Sequence, residues 1–488
     1  MVHTQPTVAV LRGGAVPDVM EWPPGPPGSA DGGTMNRPGT VGAARDTLRT
    51  QLWPVPTIGV ALAVALGVFL PRLDERIDDV LPASVTRYLF GGGAGAARSV
   101  LEAIAGSQIT VTSLTFSLTI VTLQLASSQF SPRLLRTFTS DRFVHGTLAL
   151  FLATFAYSLT VLRTVRTADD GQDAFVPQIS VTLAFLLALA TVVTLVLFLA
   201  HLASKIRVET MLREVHTSAS DTADRMLSVD GEPPAGNSAP PDPPADAILV
   251  PAARSGFLGG VDEEALLHAA VDADAVVLVD RHPGSSLIAG TPVAACWPRA
   301  AAGFDPGTRS QLTERVATAI STGYERTAAQ DVAYGLRQLT DVAVKALSPG
   351  INDPTTAVHA LGHSAALLCE LAGRDLGPRL LHDDEDRIRV VLRRPDLTEL
   401  LDLAVSQPRR YGAADPAVLT RLMMLLRELG WTVDRPDQRR AVTDQLARLR
   451  HTVDAQDFDA VERTTLAELG VQVEQAATGK WMPNPTAV

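Results

Sequence analysis

One stretch of the sequence combines helix-breaking residues with side chains that can bind a ligand. It is the segment "KALSPGINDPTTAVHALGH", which runs from Lys345 to His363. Proline disfavours helical geometry in the residue before it, so the Ser-Pro-Gly at 348–350 is predicted to end one helix. Asp353 followed by Pro354 has the pattern of an N-cap and a first-turn proline, so it is predicted to begin another.

The start of this second helix is a candidate ligand site. A helix N-terminus has free N–H groups and the positive end of the helix dipole, and it can receive an anion. The candidate ligand- or anion-binding residues are Ser348, Asn352, Asp353, Thr355 and Thr356. Two interpretations stay open: a site for an ion or small molecule, and a corner with a purely structural role.

No metal or catalytic site is expected from the sequence. His359 and His363 are four residues apart, a spacing that lets two imidazoles contact one metal. The stretch lacks the glutamate of the zinc-protease motif, and Glu370 lies about two helical turns beyond His363. The chain also lacks the Gly-x-Ser-x-Gly and Walker patterns, so we expect no cofactor and no enzymatic activity.

A second group of polar residues follows one face of an apolar segment. Their spacing alternates between four and three, which places them on one side of a helix in the pattern of left-handed packing. They are Gln108, Thr112, Thr115, Thr119, Thr122 and Gln129, and they are the candidate pore-lining residues. A second polar stripe on the opposite face consists of Thr110, Ser113, Ser117, Gln124 and Ser128. Because two polar stripes are unsuited to a lipid-facing helix, we expect this helix to be central.

The two stripes allow two interpretations. Both can be packing seams inside a four-helix unit, because small hydroxyl residues let helices approach closely. Alternatively, one stripe packs and the other lines a water-filled path around the axis of an oligomer. No Asp, Glu, Lys or Arg lies near the middle of a span, which disfavours a proton- or ion-coupled transporter.

Four apolar stretches are long enough to cross a bilayer, which takes about 20 helical residues. They cover about 52–70, 103–126, 146–162 and 179–200, within a transmembrane domain at 46–203. Four spans place both termini on one side, and the basic residues favour a cytosolic location for them. Among these, Arg133, Arg136 and Arg142 follow the second span and are candidate contacts for lipid phosphates or for the cytosolic region.

The remaining segments differ in composition. They are a disordered Pro/Gly-rich lead at 1–45, a juxtamembrane helix at 204–228, a Pro-rich linker at 229–246, a β-rich module at 247–300, a helical domain at 301–478 and a disordered tail at 479–488. In the β-rich module, five short strand-like segments flank the helical stretch "DEEALLHAA". The helical domain includes a predicted helix at about 325–347 and the acidic segment "HDDEDR" at 382–387, which is predicted to be a solvated turn.

Charge and cysteine content exclude two further classes of protein. The formal net charge of −11 argues against a general nucleic-acid binder, which needs a basic surface. Cys296 and Cys369 are too few and too far apart for a disulfide framework or a cysteine zinc site. We expect both to be buried thiols.

Several segments resemble a family of bacterial predicted membrane proteins of unknown function. They are "SSQFSPRLLRTF", "RSGFLGGVD", "ERTAAQDVAYGLRQLTDVAVKALSPGINDPTTA" and "RRYGAADPAV". The resemblance covers about Leu48 to Val473. It implies an integral inner-membrane protein with a cytosolic C-terminal domain, and it supplies no catalytic residues.

These observations predict a membrane protein with four transmembrane α-helices followed by a cytosolic α+β region, made of a small β-rich module and a helical domain. The expected location is the bacterial inner membrane, with both termini cytosolic. The expected partners are the lipid bilayer and further copies of the chain, with an ion or small molecule as a ligand and no nucleic acid. The first hypothesis is an oligomeric channel or pore, and the alternative is a non-conducting sensor or scaffold that uses the Ser348–Thr356 corner.

Overall fold

A computed structural model describes residues 53–77, 89–129, 141–166, 175–205, 207–228, 240–299 and 303–482, with the backbone alone for 126–129. The predictions for the lead at 1–45, for Arg133 and Arg136, for most of the Pro-rich linker and for residues 483–488 lie outside these ranges.

Four helices at the N-terminal end are long and apolar enough to cross a membrane. They are α1 (Pro54–Ile77), α2 (Ala94–Gln129), α3 (Arg142–Leu162) and α4 (Gln178–Lys205). They extend beyond the apolar windows predicted from the sequence because polar residues at their ends continue the helices. With 36 residues, α2 is the longest, and at about 1.5 Å per residue it exceeds a hydrocarbon core of about 30 Å.

The central helix of a single protomer is α3, and the expectation that α2 is central is wrong at this level. Helix α3 packs against α1, α2 and α4. Two glycines of α1 allow its close approach: a Cβ at Gly59 would lie 3.3 Å from the Ala149 side chain, and one at Gly67 would lie 2.8 Å from that of Thr160. Small residues at a helix contact bring backbones together in this way. Helix α2 lies beside this core with one face left exposed.

A buried carboxylate fixes the N-terminus of α4. Asp74, near the end of α1, accepts hydrogen bonds from the backbone N–H groups of Ile179 (3.1 Å) and Ser180 (2.9 Å) and from the Ser180 hydroxyl (2.7 Å). The Tyr157 hydroxyl on α3 donates to the Ser180 carbonyl at 3.1 Å. Helices α1, α3 and α4 therefore meet at one hydrogen-bonded point.

The chain does not leave the membrane domain as one continuous helix, and the predicted juxtamembrane helix is a separate element. Helix α4 ends at Lys205, and α5 (Val208–Met226) begins after Arg207, which has extended backbone angles. Helix α5 then packs against the helical part of the C-terminal region, where Leu212 and Val215 are buried.

Two sheets form the β-rich part of the C-terminal region. Strands β1 (Ile248–Pro251), β2 (Gly256–Val261), β3 (Ala275–Val279), β4 (Ser286–Leu287) and β5 (Pro292–Pro298) correspond to the five predicted segments. Helix α6 (Glu263–Asp272) lies between β2 and β3, with Asp262 as its N-cap. The turns after β3 and β4 contain Gly284 and Gly290, both with positive φ.

The β-rich part also recruits later segments, so its predicted end at residue 300 is too early. After α7 (Pro306–Ala319), strand β6 (Ile320–Gly323) pairs with β2, giving a three-stranded sheet in the order β4-β2-β6. Strands β7 (Arg379–His382) and β8 (Ile388–Leu392) complete a five-stranded sheet in the order β1-β5-β3-β8-β7. Because β8 pairs with β3 in parallel, the predicted helical domain is interrupted by a hairpin that belongs to this sheet.

The helical part has a single large core. Its helices are α8 (Tyr334–Ala346), α9 (Pro354–Ala372), α10 (Leu397–Tyr411), α11 (Pro416–Thr432), α12 (Pro436–Asp454) and α13 (Ala460–Ala477). Helix α8 begins later than predicted because the residues before it bind the sheet: the Gln330 side chain accepts from the Val261 N–H (2.8 Å) and donates to the Val261 carbonyl (3.2 Å).

Candidate functional site

Helix α2 has two polar faces, and only one of them is buried. On the buried face Thr115 is fully covered, and Gln108, Thr112, Thr119 and Thr122 are each less than a tenth exposed. This face packs against α3 and α4. Five of the six residues predicted to line a pore are therefore part of the packing seam within the protomer, and Gln129 is the last residue of the helix.

The hydroxyls on this seam are mostly satisfied within α2 itself. Thr112, Thr115, Thr119 and Thr122 each donate to the carbonyl four residues earlier, at 2.7–2.9 Å. Threonine often makes this bond in apolar helices, where no water is available. The hydrogen bond between α2 and α4 comes from Gln108, whose Nε2 donates to Thr191 Oγ1 at 2.7 Å. The seam thus holds the protomer together, and a water path through these residues would require the helices to separate.

The opposite face of α2 is polar and exposed. Thr110, Ser113, Ser117 and Gln124 are exposed in the protomer, and so is Gly106 on the same side. The side chains of Ile109, Thr110, Ser113, Leu114 and Ser117 border open space on this side of the helix. We call this row of small and polar residues, from Gly106 to Gln124, the outer stripe; it is interrupted at Ile120 and Val121 and lies beside exposed apolar side chains such as Leu114. A stripe of this kind is costly to leave against lipid tails.

A cluster of charged residues joins the membrane domain to α5, and its members are too far apart in the sequence to be recognised as a group there. Asp141 caps α3 by accepting from the Phe143 N–H at 2.9 Å, and its other oxygen lies 2.7 Å from His201 Nε2. Lys205 lies 3.7 Å from Asp141 and also pairs with Glu214 on α5. Burial opposes ionisation of Asp141, but the contacts with His201, the Phe143 N–H and Lys205 outweigh it and lower its pKa. A movement of α5 would therefore act on α3 and α4 through Lys205.

The Ser348–Thr356 corner is held by its own hydrogen bonds. Ser348 Oγ donates to the Lys345 carbonyl at 2.6 Å, and Asn352 has the left-handed backbone angle φ +50° that the reversal needs. Asp353 caps α9, accepting from the Thr356 N–H (3.1 Å) and hydroxyl (2.6 Å).

The candidate anion site at this corner is therefore occupied by the protein's own carboxylate. The Thr356 hydrogen bonds lower the pKa of Asp353, so it is ionised at neutral pH. A second anion would meet a like charge there, and of the candidate residues Thr355 and Asn352 are left exposed. The predicted N-cap is confirmed, and its geometry favours the structural interpretation of the corner.

The two histidines of α9 have different partners. His359 Nδ1 contacts Glu209 on α5, and the His363 ring lies 5.7 Å from that of His216, also on α5. Burial and the neighbouring His216 lower the pKa of His363. Within the described residues, no group of three His, Cys, Asp or Glu side chains is arranged to hold a metal.

The predicted basic contacts can be placed only in part. Arg142 is the first residue of α3 and is exposed. The two cysteines are unpaired: Cys296 is buried and Cys369 is half-buried. Burial raises the pKa of Cys296 to about 12 and raises that of Cys369 as well, so neither is an activated thiol.

Four apolar helices followed by a mixed helical and sheet region define an integral membrane protein. The family model "Predicted membrane protein (DUF2254)" matches residues 49–428, so this chain belongs to that family. The resemblance noted in the sequence is thereby confirmed.

The curated relatives extend the match without assigning an activity. Uncharacterized proteins of Mycobacterium bovis and Mycobacterium tuberculosis are each 35% identical over 431 residues, which cover 86% of this chain and 80% of theirs. No solved structure matches the chain.

Proposed function

We propose that this protein is a subunit of an oligomeric channel in the bacterial inner membrane. In the proposed assembly, the outer stripe of α2 faces the oligomer axis and lines a hydrated path. The termini and the C-terminal region are cytosolic, and the C-terminal region regulates the path through α5.

One observation carries the proposal: α2 exposes a row of small polar side chains along the segment that crosses the membrane, beside exposed apolar side chains such as Leu114 and Phe116. Thr110, Ser113, Ser117 and Gln124 lie in this row. Exposed positions on α4, such as Val193 and Val196, are apolar and suit contact with lipid. A protomer alone in lipid would leave the outer stripe facing hydrocarbon, whereas an oligomer would place it against other copies or water. This reasoning also supports the proposed homo-oligomer.

The proposed path differs from the first sequence hypothesis in the face of α2 that it uses. The seam at Thr115 and Thr119 packs the protomer, and the outer stripe takes over the role of lining residues. Hydroxyl and amide groups without charge would pass ions by size and hydration at constrictions, without a charged ring.

A second candidate function is a non-conducting membrane anchor for a sensor or scaffold. It is favoured by Gly106, where an added Cβ would meet nothing within 4 Å. Gly106 and the nearby serines would let another α2 approach closely and form a dry interface. In that case the outer stripe joins subunits but conducts nothing.

The deciding experiment is a conductance measurement on purified full-length protein in lipid bilayers. Ser117→Leu places a bulky apolar group on the outer stripe, and Thr115→Val changes the buried face of the same helix at nearly constant volume. The channel proposal expects discrete currents in the wild type, reduced or abolished in Ser117→Leu and retained in Thr115→Val. Silence from folded wild-type oligomers across voltage and membrane tension would contradict the channel and favour the scaffold. Currents unaffected by Ser117→Leu would place the path elsewhere.

A further inference from the structure

A small cleft in the C-terminal region is unusually rich in arginine. It lies where β2, β3 and β8 meet the segment before α8, and it encloses about 30 Å³. That volume suits a small inorganic ion or about one water molecule, and it is too small for a nucleoside or an acyl chain. The charged and polar residues around it include Glu263, Arg281, His282, Asp331, Arg393 and Arg394.

Both carboxylates of the cleft already have arginine partners. Asp331 is buried and accepts from Arg326 Nε and Nη2 at 2.9 and 2.7 Å. Glu263 is shared between two guanidinium groups, with Arg379 at 3.1 Å and Arg394 at 3.5 Å. Neither carboxylate is therefore available to attract a cation.

Arg394 is the least satisfied of these arginines. Its side chain is only 11% exposed, and its Nη2 is buried without a hydrogen-bond acceptor among the described residues. The 3.5 Å contact with Glu263 does not satisfy hydrogen-bond geometry. Burial and the nearby Arg379 charge lower the pKa of Arg394 to about 10. Arg394 is therefore ion-paired with Glu263 but leaves one buried donor without a hydrogen bond, and an acceptor for that donor would be stabilising.

Two further arginines lie at the rim of the cleft. Arg281 is exposed, and none of the described carboxylates lies within ion-pair distance of it. Arg393 is also exposed and pairs with Glu399 at 2.7 Å. Arg394 also lines the cleft, so an entering anion would pass Arg281 and reach the Arg394 guanidinium.

We propose that this cleft binds a small oxyanion of the phosphate type, with Arg394 as its principal ligand and Arg281 assisting at the rim. The planar guanidinium donates parallel hydrogen bonds that match oxyanion geometry, which favours a phosphate-like ion over a halide. The proposal stands independently of whether the membrane domain conducts ions. The last residue of α5, Met226, also borders the cleft, so an occupied cleft would contact the helix that leads to the membrane domain.

The test is calorimetric titration of the full-length protein in detergent micelles. Sodium phosphate is the probe, with sodium sulfate and sodium chloride compared at equal ionic strength. The wild type is expected to bind one phosphate per chain in a saturable manner and to bind chloride more weakly. Arg394→Gln should lose about 10- to 100-fold in affinity, the size of one or two charge-assisted hydrogen bonds. The matched control Arg393→Gln removes a neighbouring exposed charge and should stay within a few-fold of the wild type.

Three results of this titration would contradict the proposed phosphate site. Absence of saturable phosphate binding, equal responses to phosphate and chloride, or equal losses in Arg394→Gln and Arg393→Gln would each overturn the proposal. If Arg394→Gln fails to fold, two milder variants decide the question. Arg394→Lys keeps the charge but loses the forked donor, and Arg281→Gln alters only an exposed residue. Both should weaken phosphate binding while the ligand-free protein stays folded, and wild-type affinity in both would refute the site.

Discussion

Gly284 should be the most sensitive turn position in the C-terminal region. It has φ +88°, and a Cβ added there would lie 2.0 Å from Asp331 Oδ2 and 2.7 Å from Arg326 Nη2. The Gly284→Ala variant would therefore suffer two costs. The left-handed backbone costs a non-glycine residue about 1–2 kcal/mol, and forcing apart a buried ion pair costs about 3–5 kcal/mol. We expect a total loss of about 4–7 kcal/mol.

Gly290→Ala is the matched control for this variant. Gly290 has a similar φ of +82°, but an added Cβ would meet nothing within 4 Å. Only the backbone cost of about 1–2 kcal/mol applies there, and the effect of alanine on the unfolded chain is the same in both variants. The expected difference between the two variants is thus about 3–5 kcal/mol.

Hydrogen–deuterium exchange of the intact protein in micelles measures this difference locally. The reporting peptides cover β3 and β5, whose amides should open about two to four powers of ten more often in Gly284→Ala than in Gly290→Ala. Exchange rates within tenfold of each other in the two variants would refute the argument, because the ion pair would then have yielded to the added methyl group at little cost.

Two further predictions concern other carboxylates. Asp74→Ala removes three hydrogen bonds at the start of α4 and should destabilise the membrane domain by about 2–4 kcal/mol. The control Glu75→Ala changes an exposed neighbour and should have little effect. Equal melting temperatures of the two variants in micelles would contradict this prediction. Burial opposes ionisation of Asp383, but hydrogen bonds from Arg389 and Arg387 hold its pKa below the usual range. Its stabilising effect is therefore present above about pH 4 and is lost as the pH falls further. Asp383→Asn should therefore lower the melting temperature at pH 7, and its difference in melting temperature from the wild type should become smaller in acid. A difference in melting temperature that does not depend on pH would contradict this prediction.

Local features of the fold could be predicted from the sequence. The four spans follow from long uncharged apolar runs, and the starts of α7 and α9 follow from Asp-Pro pairs at Asp305 and Asp353. The five strands of the β-rich module follow from short β-branched segments between turn residues. Each of these signals is contained in a few consecutive residues.

Long-range pairing could not be predicted in the same way. Strand β8 joins β3 across more than a hundred residues, with Val277 opposite Val390. Its sequence includes Arg389, which looks like a surface residue but is buried between Asp383 and Asp274, at 2.7 Å from each. The predicted solvated turn is present, with 384–386 exposed, but only the pairing of β3 with β8 brings Asp274 to the arginine.

The sequence also does not show which of the two polar faces of α2 is buried. Both faces carry Thr and Gln, and periodicity alone does not identify the buried one. The outcome depends on partners elsewhere in the chain, such as Thr191 on α4, which pairs with Gln108. The arginine-rich cleft was missed for the same reason, since Glu263, Asp331 and Arg394 come from separate elements.

The most direct test of the proposed path is water access to the outer stripe in intact membranes. The single variants Ser117→Cys, Thr115→Cys and Val193→Cys are treated with a charged, membrane-impermeant methanethiosulfonate. Cys296 and Cys369 give a low background, because burial raises the pKa of both thiols. We predict that Ser117→Cys reacts, while Thr115→Cys in the packed seam and Val193→Cys in lipid do not. If folded Ser117→Cys is as unreactive as Val193→Cys, the outer stripe is dry and the proposed channel path is wrong.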